Sequence, residues 1–329
     1  MNKVVSKFSC KKFFEILSSS KNIFITGHVH PDADVVGSAL AIYLFVKKKF
    51  ENKKVDIIFR DKYPEWLNFL PKIEKIKVCK CVSKRYDLGI ILECSDISRM
   101  GGILDIGQLN FIVNIDHHLN HSGFYTNKLN FIHPEYASCA EIIFDIFKNL
   151  NFEIDYDIAK CLYVGVVTDT GKFQWSNTTQ HSFFTAYQLL SYGLKPYEIY
   201  KNLYRRRSYN GMVLLGKTLS KMKILKINGI QVGIMSISYR MFKSTKTSAV
   251  DTEDFINFPM DIFGTKIAIL FREDKPGIVK VSFRSDGIDM EGIVRHWNGG
   301  GHKYACGATV EGKIDKVEKE VVGYLKKVL

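Results

Sequence analysis

The sequence predicts an α/β protein in two parts. The first is a mostly parallel sheet with helices on both faces, over 1–190; the second is a smaller α+β unit, over 216–329. Three observations predict this. Apolar runs of strand length alternate with helical patterns through the first 190 residues. Beyond them the alternation gives way to grouped strands with fewer helices. Clusters of His and Asp stand directly after two of the apolar runs, where open α/β sheets place their sites.

Taken in order, MNKVVSKFSCKKFFEILSSS has no long apolar core and reads as an amphipathic helix, so no signal peptide is expected. The bounded run NIFIT makes 22–27 a buried strand, and VVGSALAIYLFV makes 34–49 a helix. Strands follow at 54–59, 88–93 and 111–116, and helices at 138–150 and 155–168. The stretch SYGLKPYEIYKNLYRRRSYN mixes turn residues, tyrosines and three arginines, which predicts a linker over 191–215. Next, 212–227 reads as a helix running into a strand, 230–237, 266–272 and 278–284 as strands, and 290–297 as helical. No internal repeat or low-complexity segment is present.

A chain of 329 residues, 46% hydrophobic, is long enough for two packed cores. The net charge of +13 favours polyanionic partners; the abundance of Lys, Asn, Ile and Phe equally fits AT-rich coding. No apolar stretch approaches the ~20 residues of a spanning helix, so no membrane partner is expected. Seven scattered cysteines, an odd count, fit reduced thiols in a cytoplasmic protein. Cys79 and Cys81 form a CxC placed on a strand, but no second pair completes a structural zinc site.

The chemistry concentrates in two segments. GHVHPDADVV places His28, His30, Asp32 and Asp34 in a turn at the start of a helix. Asp34 suits the N-cap of that helix. One cap needs one Asp, and capping does not explain two histidines. Imidazole and carboxylate together suit divalent metals, and carboxylates two residues apart can face different ions. The second segment is Asp116-His117-His118, at the end of a buried strand. A third piece is Asp169 in VGVVTDTGKF, where an apolar helical run ends.

These motifs, in this order, resemble the DHH phosphoesterase superfamily. VSFRS (281–285) and GGGHKYACG (299–307) resemble its DHHA1 partner domain. The resemblance spans nearly the whole chain and is closest to the stand-alone enzymes, either nanoRNase/pAp phosphatases or cyclic di-AMP and pApA phosphodiesterases. It implies two Mn2+ ions per chain. His28 and Asp32 would hold one; Asp34, His117 and Asp169 would hold the other; a shared carboxylate would bridge them. Asp116 would orient an imidazole, and His118 would contact the scissile phosphate or protonate the leaving oxygen. The family's bridging Asp lies six residues before an Arg. Here Glu93 stands six residues before Arg99, with Asp96 as the alternative bridge. Arg99 reaches a substrate phosphate or makes an ion pair at a helix start. Arg284, Ser285, Gly299, Gly300, Gly301 and His302 look like a clamp for a terminal phosphate and its nucleoside. Arg205, Arg206 and Arg207 widen a basic cleft or form a solvated linker face.

The implied reaction is hydrolysis of short adenine nucleotides, leaving a 5′-phosphate: cyclic di-AMP and pApA, or two- to five-residue RNA and pAp. Long nucleic acid is not an expected partner, and a homodimer fits the family. From another class, a nucleotide-binding regulator with an impaired metal site is motivated by Glu93. A basic protein that binds long RNA is the third reading.

Overall fold

The computed structural model describes residues 5–94, 96–118 and 128–329. The chain divides into two compact units at Arg205/Arg206.

In the first unit, helix α1 (Lys7–Ser19) precedes strand β1 (Asn22–Thr26), helix α2 (Ala33–Lys49) and strand β2 (Lys54–Phe59). Strands β3 (Ile76–Val78), β4 (Tyr86–Leu92), β5 (Leu109–Asp116) and β6 (Lys128–Ile132) follow. All pair in parallel, in the order β3-β2-β1-β4-β5-β6. That order reverses direction between β1 and β4. A crevice forms beyond the strand ends at such a reversal, and it is where open sheets bind ligands.

Because successive side chains point to opposite faces, each apolar strand feeds two cores. Ile23, Ile25, Leu88, Ile90 and Val113 pack beneath α1, α2, α3 (Cys139–Asn149) and α4 (Tyr156–Asp169). Phe24, Ile58, Ile91 and Ile112 face the other way, onto Met100, Ile103 and Leu104. That second face is closed by 3-10 turns at 97–100 and 106–108 in the β4–β5 crossover. In the helical layer, the Phe45 ring stacks on Phe147 at 4.6 Å and meets Phe152 edge-on at 4.7 Å. Aromatic pairs of this kind add ~0.5–1.5 kcal/mol each beyond area burial.

The stretch expected as a linker is largely helical. After α5 (Gln180–Leu190), α6 (Pro196–Tyr204) buries Ile199 and Leu203 in the first core. Helix α7 (Tyr209–Leu219) buries Leu214 and Leu215 in the second unit. The tyrosines and Pro196 that suggested a turn instead start and face an amphipathic helix, with Pro at its first position.

The second unit adds β7 (Lys223–Ile227), β8 (Ile230–Ile237), α8 (Tyr239–Thr245), β9 (Thr265–Lys275) and β10 (Ile278–Ser285). It ends with α9 (Glu291–Val294), β11 (Gly300–His302), β12 (Ala305–Glu311) and α10 (Ile314–Val328). The sheet order is β11-β12-β10-β9-β8-β7, antiparallel except for the β8–β9 pair. One core packs Val279, Val281 and Phe283 against α9 and α10; the other packs Ala268 and Leu270 against α7 and α8. Cys79 and Cys81 lie exposed just past β3, off the strand. No helix among the described residues is long and apolar enough to cross a membrane.

Candidate active site

Five elements meet at one crevice. The turn after β1 brings His28, the start of α2 brings Asp32 and Asp34, β4 ends on Glu93, β5 leads to His117 and His118, and α4 ends on Asp169. Three overlapping sets of donor atoms each lie within 4.8 Å of one another: His28, Asp32 and Glu93; Asp34, His117 and Asp169; Glu93, His117 and His118. His30 is not among them. Its backbone N–H donates to Asp61 and its ring is exposed.

The helix cap is Asp32, not Asp34. Asp32 has extended backbone and accepts from Val35 N at 3.0 Å. Asp34 sits inside the first turn, 1% exposed, where the start of α3 holds it. Cys139 N donates to Asp34 Oδ2 at 2.6 Å and Ala140 N to Oδ1 at 3.0 Å. The positive end of a helix stabilises a carboxylate at that place. Helix α4 comes close enough only because residue 165 is Gly: a Cβ there would lie 2.3 Å from Asp34 Oδ1.

Both candidate ligand imidazoles are oriented by backbone. His28 Nδ1 lies 2.8 Å from the Val29 carbonyl, which leaves Nε2 facing Asp32 at 3.6 Å and Glu93 at 3.8 Å. His117 bonds to the Tyr136 carbonyl and turns Nε2 to Asp169 at 3.2 Å and Glu93 at 4.0 Å. Burial and the neighbouring His118 push the His117 pKa down to about 4, so it is a neutral imidazole near pH 7, the form that binds metals. His118 differs: its Nδ1 lies 2.7 Å from Asp116 Oδ1, which also accepts from His118 N.

Glu93 lies between the two imidazoles. It is 1% exposed, has a left-handed backbone (φ 53°), and its Oε1 has no hydrogen-bond partner among the described residues. Burial, then Asp34, Asp32 and Asp169, raise its pKa well above the usual carboxylate range. Asp169 is raised by burial, then Asp34, Asp32 and Glu141, and burial raises Asp34 to about 6. Carboxylates packed this closely repel one another until a cation joins them. Asp96, the alternative bridge, caps the 97–100 turn through Ser98 N at 2.6 Å. The Arg99 carbonyl accepts from Val29 N, and the Arg99 side chain makes no ion pair among the described residues.

In the second unit, Arg284, Gly299 and Gly300 line a cavity of about 670 Å³ over the β10–β12 face. Ser285 turns aside, its hydroxyl donating to the Ile288 carbonyl at 2.5 Å. Gly301 has φ 142° and lies against Cys306, where a Cβ would come 2.7 Å from Cys306 Cα. His302 falls on β11, with its side chain outside the described residues. The arginine run stays within its units: Arg205 bonds the Tyr197 hydroxyl, Arg206 pairs with Glu253 at 3.3 Å, and Arg207 lies over Phe255 and Phe258.

Sequence reasoning did not single out Tyr136, Gly165, or the Cys139 and Ala140 amides. Ser138-x-x-Glu141 was a readable signal for the start of α3, since Ser138 caps Glu141 N. Asn177, which ties the Asp169 carbonyl to that of Ala137, had no such signal.

A doubly wound sheet carrying a His/Asp/Glu cluster at its switch point defines a metal-dependent hydrolase architecture. The chain belongs to the DHH family and is a DHH/DHHA1 phosphoesterase: the model of the DHH family's N-terminal domain matches residues 22–166 and that of the DHHA1 domain matches 231–327. It is 29% identical over 308 residues to the bifunctional oligoribonuclease and PAP phosphatase NrnA of Thermus thermophilus, covering 91% of this chain and 88% of that protein. The protein of the same name from Bacillus subtilis is 26% identical over 304 residues, covering 89% and 91%. Among solved structures, an exopolyphosphatase-related protein from Bacteroides fragilis superposes with a TM-score of 0.88 at 26% identity, covering 100% of this chain and 99% of that one.

Proposed function

We propose that the chain is a Mn2+-dependent hydrolase of short oligoribonucleotides that also removes a phosphate from pAp. The observation that carries the metal reading is Glu93: a buried carboxylate with one oxygen lacking a partner among the described residues, its other oxygen 3.8 and 4.0 Å from two imidazole nitrogens of separate donor sets. A donor set of imidazole and carboxylate fits Mn2+. His28, Asp32 and Glu93 would hold one ion; Asp34, Glu93, His117 and Asp169 the other. A pair of such cations supplies Lewis acidity at the phosphate and makes water nucleophilic near neutral pH.

The chain's own groups do the rest. The Val29 and Tyr136 carbonyls fix which nitrogen each ligand imidazole presents. Asp116 holds the His118 ring so that it can pass a proton to the leaving oxygen. Arg99 offers a cation to a phosphate oxygen beside His28. In the second unit, Arg284, beside Gly299 and Gly300, offers a guanidinium that can take a phosphate by two parallel hydrogen bonds. The substrate class is supported by the two oligoribonuclease/PAP phosphatase relatives, which align along about nine-tenths of the chain.

The test is a product time course. Full-length protein with Mn2+ is given pAp, RNAs of two to five residues, pApA and cyclic di-AMP, and products are resolved by chromatography. Mononucleotides from the RNAs and AMP from pAp are expected. Turnover of cyclic di-AMP alone would move the substrate to cyclic dinucleotides. Two bound Mn2+ with no turnover of any substrate would leave a nucleotide-binding regulator.

A further inference from the structure

The face of β10 that carries Arg284 continues past it. Alternate residues of a strand share a face, so Arg284, Ser282 and Lys280 form one row, and all three line the 670 Å³ cavity. Opposite them in register on β12 stand Gly307 beside Ser282 and Thr309 beside Lys280. Small residues keep this floor low: a Cβ at Gly307 would lie 2.8 Å from the Val281 carbonyl. On another side stands Trp297, fixed by its Nε1 donating to Glu320 at 2.8 Å and by edge contact with Tyr324.

The cations of the row, Arg284 and Lys280, have no ion-pair partner within 4 Å among the described residues; the acidic group that acts on Arg284 from further off is Asp254. The one side-chain hydrogen bond of Arg284 among them goes to the adjacent Phe283 carbonyl, and Lys280 is exposed. A half-buried guanidinium and an ammonium facing a common polar cavity call for an anion with more than one charge. Two residues of a strand advance about 6.8 Å, which is of the order of one nucleotide of an extended single strand.

We propose that Arg284, Ser282 and Lys280 form a track for consecutive backbone phosphates of RNA, with Trp297 offering a wall on which a base can stack. Arg284 holds the phosphate common to all substrates. Lys280, about 14 Å further along β10, is reached only by RNA longer than two residues. The proposal rests on the oligoribonuclease reading and makes Lys280 a length-selecting residue, separate from the turnover chemistry.

The test is binding without turnover. Fluorescence anisotropy is measured on the full chain in EDTA, with 5′-phosphorylated, 3′-labelled RNAs of two and five residues, for wild type, Lys280→Gln and Lys316→Gln. Lys316 lies exposed on α10, over the opposite face of the sheet, and controls for bulk charge. Lys280→Gln is expected to weaken the five-residue RNA about fivefold, the upper range for an exposed ion pair. Its log–log salt slope should fall by about 0.7, one phosphate contact. The two-residue RNA should bind as to wild type, and Lys316→Gln should change neither. Equal weakening of both RNAs, weakening of neither, or the same loss in Lys316→Gln would overturn the track and leave the oligoribonuclease reading intact. A wild-type chain that binds neither RNA would overturn the track, and the product time course with Mn2+ would decide the oligoribonuclease reading separately.

Discussion

Gly165→Ala tests whether the position of Asp34 matters. A Cβ at 165 would lie 2.3 Å from Asp34 Oδ1 and 2.7 Å from Ala140 Cβ. Ordinary contact begins near 3.4 Å, so the carboxylate or α4 must retreat by about 1 Å. Asp34 cannot retreat freely, because Cys139 N and Ala140 N hold both of its oxygens. Movement of α4 would instead carry Asp169 away from His117, since Asp169 is the last residue of that helix. Either way one donor set opens. A misplacement of about 1 Å costs on the order of 100-fold in rate, or about 2.7 kcal/mol of activation free energy. Overpacking adds about 1–3 kcal/mol of destabilisation. The assays are calorimetric Mn2+ titration, kcat on pAp, and urea denaturation. We expect a folded, less stable protein with one weakened Mn2+ site and about 100-fold lower kcat. A folded variant with two wild-type Mn2+ affinities and wild-type kcat would refute the reasoning.

Three further outcomes follow from the same geometry. Asp116→Asn removes the charge behind His118 and should lower kcat about 10- to 100-fold while Mn2+ stoichiometry, read by metal analysis, stays at two; loss of a metal would make Asp116 a ligand. Asp96→Ala removes the cap on Ser98 N, worth about 1 kcal/mol, and should leave Mn2+ binding unchanged, whereas loss of metal would move the bridge from Glu93 to Asp96. Glu141, fully buried, has its pKa raised by burial from 4.5 to about 7, so the folded state binds its proton more tightly than the unfolded one. Its contribution is therefore present below pH 4.5 and lost as pH rises through 7, a total of about 3 kcal/mol. Glu141→Gln should gain on wild type by about that amount between pH 5 and pH 8 in metal-free denaturation curves, and parallel curves would show that the carboxylate is not held neutral.

The strands around the site were legible because burial on both faces demands unbroken apolar runs. NIFIT and FIVNI are such runs, and they end where β1 and β5 end, within a residue or two. β6 was not legible: KLNFI is a short edge strand, half polar, and resembles a loop. The helix α6 was hidden by residues whose turn propensity was outweighed by burial of Ile199 and Leu203. Within the site, the donors were readable because residue type announces the chemistry. Their supports were not. The Tyr136 carbonyl and the Cys139 amide act through backbone, which every residue has, and only the placement of α3 beside β5 gives them a role. The choice between Asp32 and Asp34 as cap fails for the same reason. Both are good caps by type, and what decides is that Asp34 finds the first amides of α3.

Glu93 shows how backbone and side chain share one task. A glutamate where the DHH pattern usually has Asp suggests a carboxylate carried too far. The backbone answers this. Glu93 N still donates to the Ile115 carbonyl, so the β4–β5 ladder runs up to the residue itself, and the chain then turns through a left-handed conformation. Such a conformation is uncommon for Glu and is better tolerated by Asp. An Asp on the same Cα would end about one C–C bond, ~1.5 Å, short. It would draw the carboxylate back from the midpoint between His28 and His117, where Glu93 Oε2 now lies at nearly equal distances. The strained backbone and the longer side chain therefore belong together. Reverting the residue type alone would relieve the strain and forfeit the geometry, so at this position the departure from the family pattern fits the proposed shared carboxylate better than it fits an impaired site.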